Sequence, residues 1–335
     1  MRALASALSV ALLASLSLVG CAADTNGEDS VGDSEDSVKV DTSSPAARAQ
    51  YDANLSFAKS YKPRCSAKTS GRPRVIVTGF GRFMDVENNS TGRMVSALSG
   101  VKYPETTPPA AGKVDAPAPQ LSVGTTSLTL PNAGKVDVCA MILPVYWDMA
   151  AVLIAKEVDA FGPSFVLMNG VAGDRQPTWI ELGSVNRAAP LDDGSNQLKP
   201  AVGKNQSYAP IVSSATKADG ARGLFLSWDH VHAAAADAIK KHAGDMENGE
   251  RFDAFTPGVE FAGFPRESNT YLCNNVTYVT NYLMSYPGKN VTLMTWTAPF
   301  SGALIALVVL AVVMVQVPLR NAGHPDEPAP PTAIM

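Results

Sequence analysis

The stretch "RPRVIVTGFGRF", residues 72–83, decides the fold. Its centre, Val75-Ile76-Val77, is β-branched without a polar break, and Gly79 and Gly81 close it. A short apolar run that ends in glycines reads as a buried strand followed by a turn. Just beyond it, "STGRMVSAL" sets Met94, Val95 and Leu98 on one face of a helix, with Ser90 or Thr91 as the N-cap. The same alternation continues downstream. "VDVCAMILPV" (136–145) reads as a second strand and "WDMAAVLIAKEVDAF" (147–161) as a helix capped near Asp148. "SFVLMNGVAG" (164–173) reads as a third strand that runs into a glycine-rich turn, and "WIELGSVNRAA" as another strand. "WDHVHAAAADAIKKHA" (228–243) and "YLCNNVTYVTNYLMSY" read as helices. Strands alternating with helices predict an α/β fold: three layers, a central, mostly parallel twisted sheet, and helices on both faces. Residues 101–135, rich in Pro, Ala and Gly, read as an inserted loop that bears one hairpin strand, "LSVGTTSLTL".

The chain has 335 residues, of which 46% are apolar and 17% charged, enough for a sizeable core. A net charge of −4 gives no reason to expect nucleic acid as a partner. The four cysteines, Cys21, Cys65, Cys139 and Cys273, form no CxxC pair and no Cys/His cluster, so neither a metal nor a cofactor is called for.

The N-terminus "MRALASALSVALLASLSLVGC" has Arg2, an apolar run and then Leu18-Val19-Gly20-Cys21. The run suits a signal peptide rather than a membrane span. Its end resembles a bacterial lipobox, in which the cysteine becomes the lipidated N-terminus. Residues 1–20 are therefore expected to be a leader and Cys21 the lipid anchor to a membrane of the bacterial cell envelope. Ala22 rather than aspartate follows the cysteine, which by resemblance to enterobacterial sorting favours the outer membrane. Residues 21–50 are acidic, rich in Ser and Gly, and are expected to be a disordered tether, with order beginning near Tyr51. The domain is expected over 51–320 and a disordered tail over 321–335. Export permits disulfides. With Cys21 lipidated and Cys273 free, Cys65 and Cys139 are left either as a bonded pair or as two separate buried thiols. The apolar run Ala303–Val315 is short for a membrane span and rich in valine, which favours a core strand.

Three segments, taken in order, resemble the pyroglutamyl peptidase I family (pyrrolidone-carboxylate peptidases), which are cysteine peptidases. In "VIVTGFGRFMDVENNSTGRMVSALSG", Thr78, Gly79, Phe80 and Phe83 fit the family's T-G-F-x-x-F, and Asn89 and Thr91 fit its N-P-[ST], with Ser90 in place of proline. In "NGVAGDRQPTWIELGSVNRAAPLDDG", Gly170, Arg175, Ile180, Glu181, Val185 and Asn186 keep the family's spacing. In "TYLCNNVTY", Tyr271 to Asn274 match Y-L-C-N. The resemblance implies a hydrolase that removes N-terminal pyroglutamate from peptides. It implies Cys273 as nucleophile, Glu181 as the carboxylate of the triad, Phe80 and Phe83 lining a slot for the flat ring, and Arg175 near the oxyanion. A helix N-terminus, where Cys273 falls, favours thiolate.

One part of the pattern is missing. The family's histidine follows the cysteine in a strand reading roughly G-F-[IV]-H-V-P, whereas here the only later histidine is His324 in the tail. In one placement Thr295 or Thr297 takes the histidine's position. In the preferred one, "MVQVPLRNAG", Gln316 takes it. None of these side chains accepts a proton near neutral pH. His230 and His232, at the start of a helix, are the remaining imidazoles that could reach the thiol. The sequence thus leaves three readings: an impaired hydrolase, an inactive, lipid-anchored binding protein with the family fold, or an enzyme of drifted specificity that uses Cys273 for other acyl chemistry.

Overall fold

The computed structural model describes residues 38–285 apart from 68–70, 84–85, 131–133, 172–177, 216–219, 224–227, 248–249, 256–257 and 263–269. The leader, Cys21, Arg175, the Ala303–Val315 run, Gln316, His324 and the tail lie outside the described residues. Among the described residues no helix is long and apolar enough to cross a membrane.

A mixed, mostly parallel sheet organises the chain. Strands β1 (Arg74–Phe80), β2 (Ser122–Leu130), β3 (Gly134–Leu143) and β4 (Phe165–Met168) lie in the order β2-β3-β1-β4. β1 runs parallel to β3, with Ile76 opposite Cys139, and parallel to β4, with Val77 opposite Leu167. β2 pairs antiparallel with β3 as the hairpin expected from the inserted loop. β1 and β3 are covered on both faces, which explains their unbroken apolar runs.

Alternate side chains of these strands feed two cores. Ile76, Phe80, Cys139, Met141 and Leu143 pack beneath α3 (Ala150–Phe161) and α6 (Leu272–Ser285). Val75, Val77, Val138, Ala140 and Ile142 pack on the other face with α2 (Ser90–Ser99) and α4 (Trp228–His242). The fold is therefore the three-layer α/β arrangement expected from the sequence. Two glycines let α2 sit close against β1. A Cβ on Gly79 would lie 2.3 Å from the Thr91 carbonyl oxygen, and one on Gly92 would lie 2.2 Å from that of Phe80.

Several boundaries differ from the sequence reading. Order begins before Tyr51: Val38 is buried, Val40 bridges Pro200, and helix α1 spans Pro45–Ser60. Ser44 caps α1 by accepting from the Ala47 N–H, and Pro45 sits where no N–H is required. The N-cap of α2 is Asn89, whose side chain accepts from the Thr91 N–H, rather than Ser90 or Thr91. α3 starts at Ala150 without a side-chain cap, because the Asp148 carboxylate accepts instead from Asn54 Nδ2 at 2.9 Å. "WIELGSVNRAA" is two strands, not one. β5 (Thr178–Glu181) pairs parallel with β10 (Val259–Ala262), and β6 (Gly183–Val185) pairs antiparallel with β7 (Ala221–Gly223). The chain changes partner at Leu182-Gly183, and a glycine there weakens a continuous strand. A small hairpin, β8 (Met246–Glu247) and β9 (Glu250–Arg251), and the single turn α5 (Phe252–Phe255) complete the elements.

Polar groups join the N-terminal segment to the sheet. Cys65 and Cys139 form a disulfide, which resolves the two alternatives left by the sequence. Beside it the buried Glu157 carboxylate accepts from the Tyr61 hydroxyl and from the Arg64 and Cys65 N–H groups. Arg82 forms a buried ion pair with Asp115 in the inserted loop. Gln50 of α1 then accepts from the Asp115 N–H at 2.7 Å.

Candidate active site

The site forms at the C-terminal ends of the parallel strands, where open α/β sheets place their ligands. β4 ends at Asn169-Gly170. The Asn169 side chain donates to the Thr78 carbonyl at 2.9 Å and fixes this turn to β1. Gly170 then meets the first turn of α6, for a Cβ there would lie 2.1 Å from Cys273 Sγ. Glycine is what lets the thiol reach the strand end.

Glu181, the last residue of β5, acts on the Cys273 thiol through its charge, so the two groups that the sequence singled out lie within electrostatic reach of each other. Both groups are shifted upward, chiefly by burial. Burial pushes the Cys273 thiol up to about 12, with the Glu181 charge adding to the rise and the α6 backbone opposing it. The Cys273 residue keeps some exposure, but its sulfur is packed against Gly170. Burial also lifts the Glu181 carboxyl to about 7. At pH 7 the thiol form therefore dominates. The helix N-terminus does not overcome burial beside a carboxylate.

Aromatic rings build one wall of the site. Tyr271, just ahead of α6, stands edge-on to Phe83 at 5.5 Å and to Trp147 at 5.0 Å between ring centroids. Its hydroxyl donates to the Asp192 carbonyl at 2.8 Å. Phe83 is half-buried, whereas Phe80 is 4% exposed and belongs to the core beneath the helices. Of the two phenylalanines, Phe83 is the one beside the thiol's helix. Trp147 was not legible as a site residue, because nothing in its sequence surroundings points to Tyr271.

Behind this wall lie two acids, Asp193 buried and Asp148 half-buried. Asp193 accepts from the Ser195 hydroxyl and from the Ser195 and Trp147 N–H groups. Burial holds its carboxyl well above the usual range, and the charge of Asp148 adds to the effect. Burial raises Asp148 itself to about 7, against the hydrogen bond from Asn54.

The described histidines lie elsewhere. His230 is exposed, and His242 pairs with Asp245 at 2.7 Å. His232 bonds the Val259 carbonyl at 3.0 Å and rests against the Phe261 ring. Val259 precedes Ala262, the register partner of Glu181, by about 10 Å of strand. Neither imidazole offered by the sequence as a rescue is among the groups that act on the thiol. Among the described residues, no three metal-ligating groups converge except Cys65, Cys139 and Glu157, where both sulfurs are already bonded to each other.

The fold and this geometry define an α/β protein with a thiol packed against the turn that follows β4 and within the electrostatic reach of the carboxyl group that ends β5. No protein-family model matches the chain, and no curated protein matches it. Solved structures similar to it include pyroglutamyl peptidase I of Bacillus amyloliquefaciens, at 15% identity and a TM-score of 0.42, covering 73% of this chain and 96% of that one. Pyrrolidone carboxyl peptidase from Thermococcus litoralis is similar at 17% identity and a TM-score of 0.38, covering 72% and 93%. The enzyme of the same name from Pyrococcus furiosus is similar at 19% identity and a TM-score of 0.39, covering 62% and 71%.

Proposed function

We propose that the chain is a cysteine hydrolase of the pyroglutamyl peptidase type, acting on peptides that begin with pyroglutamate. The observation that supports this reading is that the Glu181 charge acts on the Cys273 thiol, although the two residues, singled out by their motifs, are about 90 positions apart in sequence. Cys273 Sγ, as thiolate, attacks the carbonyl carbon of the pyroglutamyl amide. The amine leaves with a proton, and water then hydrolyses the thioester to regenerate the thiol. N–H groups at the start of α6 face the developing oxyanion, and Phe83 with Tyr271 offers apolar ring edges for the flat lactam. Arg175 and Gln316 keep the roles that the resemblance gives them, the first near the oxyanion and the second in the histidine's place.

A second reading, a binding protein that holds such a peptide end without turnover, is favoured by one observation. The thiol sits near 12, and no described imidazole acts on it. The Cys65–Cys139 disulfide supports an exported, oxidising setting for either reading, as does the leader ending at Cys21 that would anchor the domain by lipid to the cell envelope, the outer membrane being preferred. Hydrolysis of a chromogenic pyroglutamyl amide by the purified chain, with Cys273→Ala as control, separates the two. Release abolished in the variant supports the hydrolase. Saturable binding without release supports the binder, and neither release nor binding overturns both.

A further inference from the structure

Asn274 follows the thiol directly and is 1% exposed. Its side chain is fully engaged, and only by backbone. Oδ1 accepts from the Val185 N–H at 2.9 Å, while Nδ2 donates to the Val185 carbonyl at 2.9 Å and to the Arg187 carbonyl at 2.8 Å. Val185 ends β6, which follows β5 and Glu181 after a single linking residue. One amide therefore clasps the first turn of α6 to the strand that leaves Glu181. Asn186 extends the clasp outward: its Oδ1 accepts from Ile211 and Val212 N–H groups at 2.8 Å and 2.9 Å. We infer that Asn274 is a positioning residue, which fixes Cys273 Sγ against Gly170 by locking α6 to the β5–β6 corner. As a role in turnover it rests on the hydrolase reading, but as a role in placing the thiol it does not.

The chemistry of the amide makes the role testable. The position needs one acceptor and two donors, which asparagine supplies and alanine does not. Aspartate supplies the acceptor toward Val185 N–H, but as an anion it turns its second oxygen toward two carbonyls. Once protonated it can donate to one of them.

The test is alkylation of Cys273 by iodoacetamide in the full-length chain, followed across pH by mass spectrometry of the Cys273 peptide. Asn274→Ala, Asn274→Asp and Asn54→Ala are compared, the last as a buried asparagine on α1 that bonds Gln50 and Asp148 rather than the β5–β6 corner. Asn274→Ala is expected to bring the alkylation midpoint down toward that of an ordinary thiol and to raise the rate near pH 8 at least about tenfold. Asn274→Asp is expected to resemble alanine at high pH and to approach wild type as the pH falls, which a purely structural loss does not produce. Asn54→Ala is expected to lower the urea midpoint without moving the alkylation profile. If Asn274→Ala does not fold, the pH-dependent return of Asn274→Asp decides. The inference is overturned if folded Asn274→Ala and Asn274→Asp both keep the wild-type profile, or if Asn54→Ala shifts it equally. Absence of pyroglutamyl hydrolysis by the wild type, with the alkylation shift intact, overturns the hydrolase reading and leaves this one standing.

Discussion

Replacing Gly170 by alanine puts one methyl group where the thiol lies. The added Cβ falls 2.1 Å from Cys273 Sγ and 3.2 Å from Cys273 Cβ, while ordinary contact begins at 3.4 Å. The sulfur must therefore retreat by at least 3.4 − 2.1 = 1.3 Å. Cysteine has a single side-chain torsion, so the cheap response is a rotation that carries Sγ away from Gly170. Overpacking of this kind costs about 1–3 kcal/mol, and rotation keeps the cost near the lower end. Reactivity is more sensitive, because a displacement of about 1 Å costs on the order of 10² in rate where two groups must be aligned. Gly170→Ala is thus expected to shift the urea midpoint slightly, to lower the thiol titration from about 12 toward the ordinary range, and to reduce any pyroglutamyl hydrolysis about a hundredfold. Gly79→Ala is the contrast. Its Cβ meets the Thr91 backbone oxygen at 2.3 Å, which cannot rotate aside, so that variant should fail in folding. A Gly170→Ala protein with wild-type thiol titration and wild-type turnover would refute the placement of the sulfur.

Three further outcomes follow from the buried network. Reduction of Cys65–Cys139, which are 74 positions apart, should cost about 4 kcal/mol through the freed unfolded chain, and an unchanged urea midpoint in reductant contradicts this. Arg82→Leu strands Asp115 in the interior and should destabilise by about 3–5 kcal/mol, with Arg82→Leu/Asp115→Leu recovering much of it; equal losses in the single and double variants argue against the pair. Asp148 and Glu181 have folded-state affinities for protons raised to about 7, and Asp193 is raised as well. Between about pH 4 and 7 the folded state therefore holds protons that the unfolded state has released, and stability should fall as pH rises through this window. Asp148 alone accounts for at most about 4 kcal/mol, and urea midpoints that rise from pH 5 to pH 7 would contradict the burial of these acids.

The sheet was legible because β1 and β3 are buried on both faces, and such strands must be written as continuous apolar runs. Cys273 and Glu181 were legible through local motifs, but no local pattern states that the charge of one reaches the other; that depends on α6 closing over the end of β4 and the β5–β6 corner. Helix α1 was missed because its buried residues Gln50 and Asn54 are polar and its packing is carried by hydrogen bonds to Asp115 and Asp148. The Ser44-Pro45 pair was the available signal, an N-cap followed by proline at the first helical position. The single strand expected over "WIELGSVNRAA" divided because sequence alternation does not reveal a change of partner. The backbone at the start of α6 favours the thiolate, as its position in the sequence implies, but burial outweighs it. Position along α6 is written in the sequence, whereas burial against Gly170 and Glu181 is not.

The central claim is that Cys273, beside Glu181, is the group that takes up the pyroglutamyl carbonyl. Its most direct measurement is acid quench of the full-length chain with a pyroglutamyl amide at about pH 9, where the thiolate fraction is about a hundredfold higher than at pH 7, followed by mass analysis of the Cys273 peptide. The account predicts a pyroglutamyl thioester on Cys273 that accumulates faster as pH rises and is lost in Cys273→Ala. Turnover that persists in Cys273→Ala, or an acyl group found on a different residue, would contradict it.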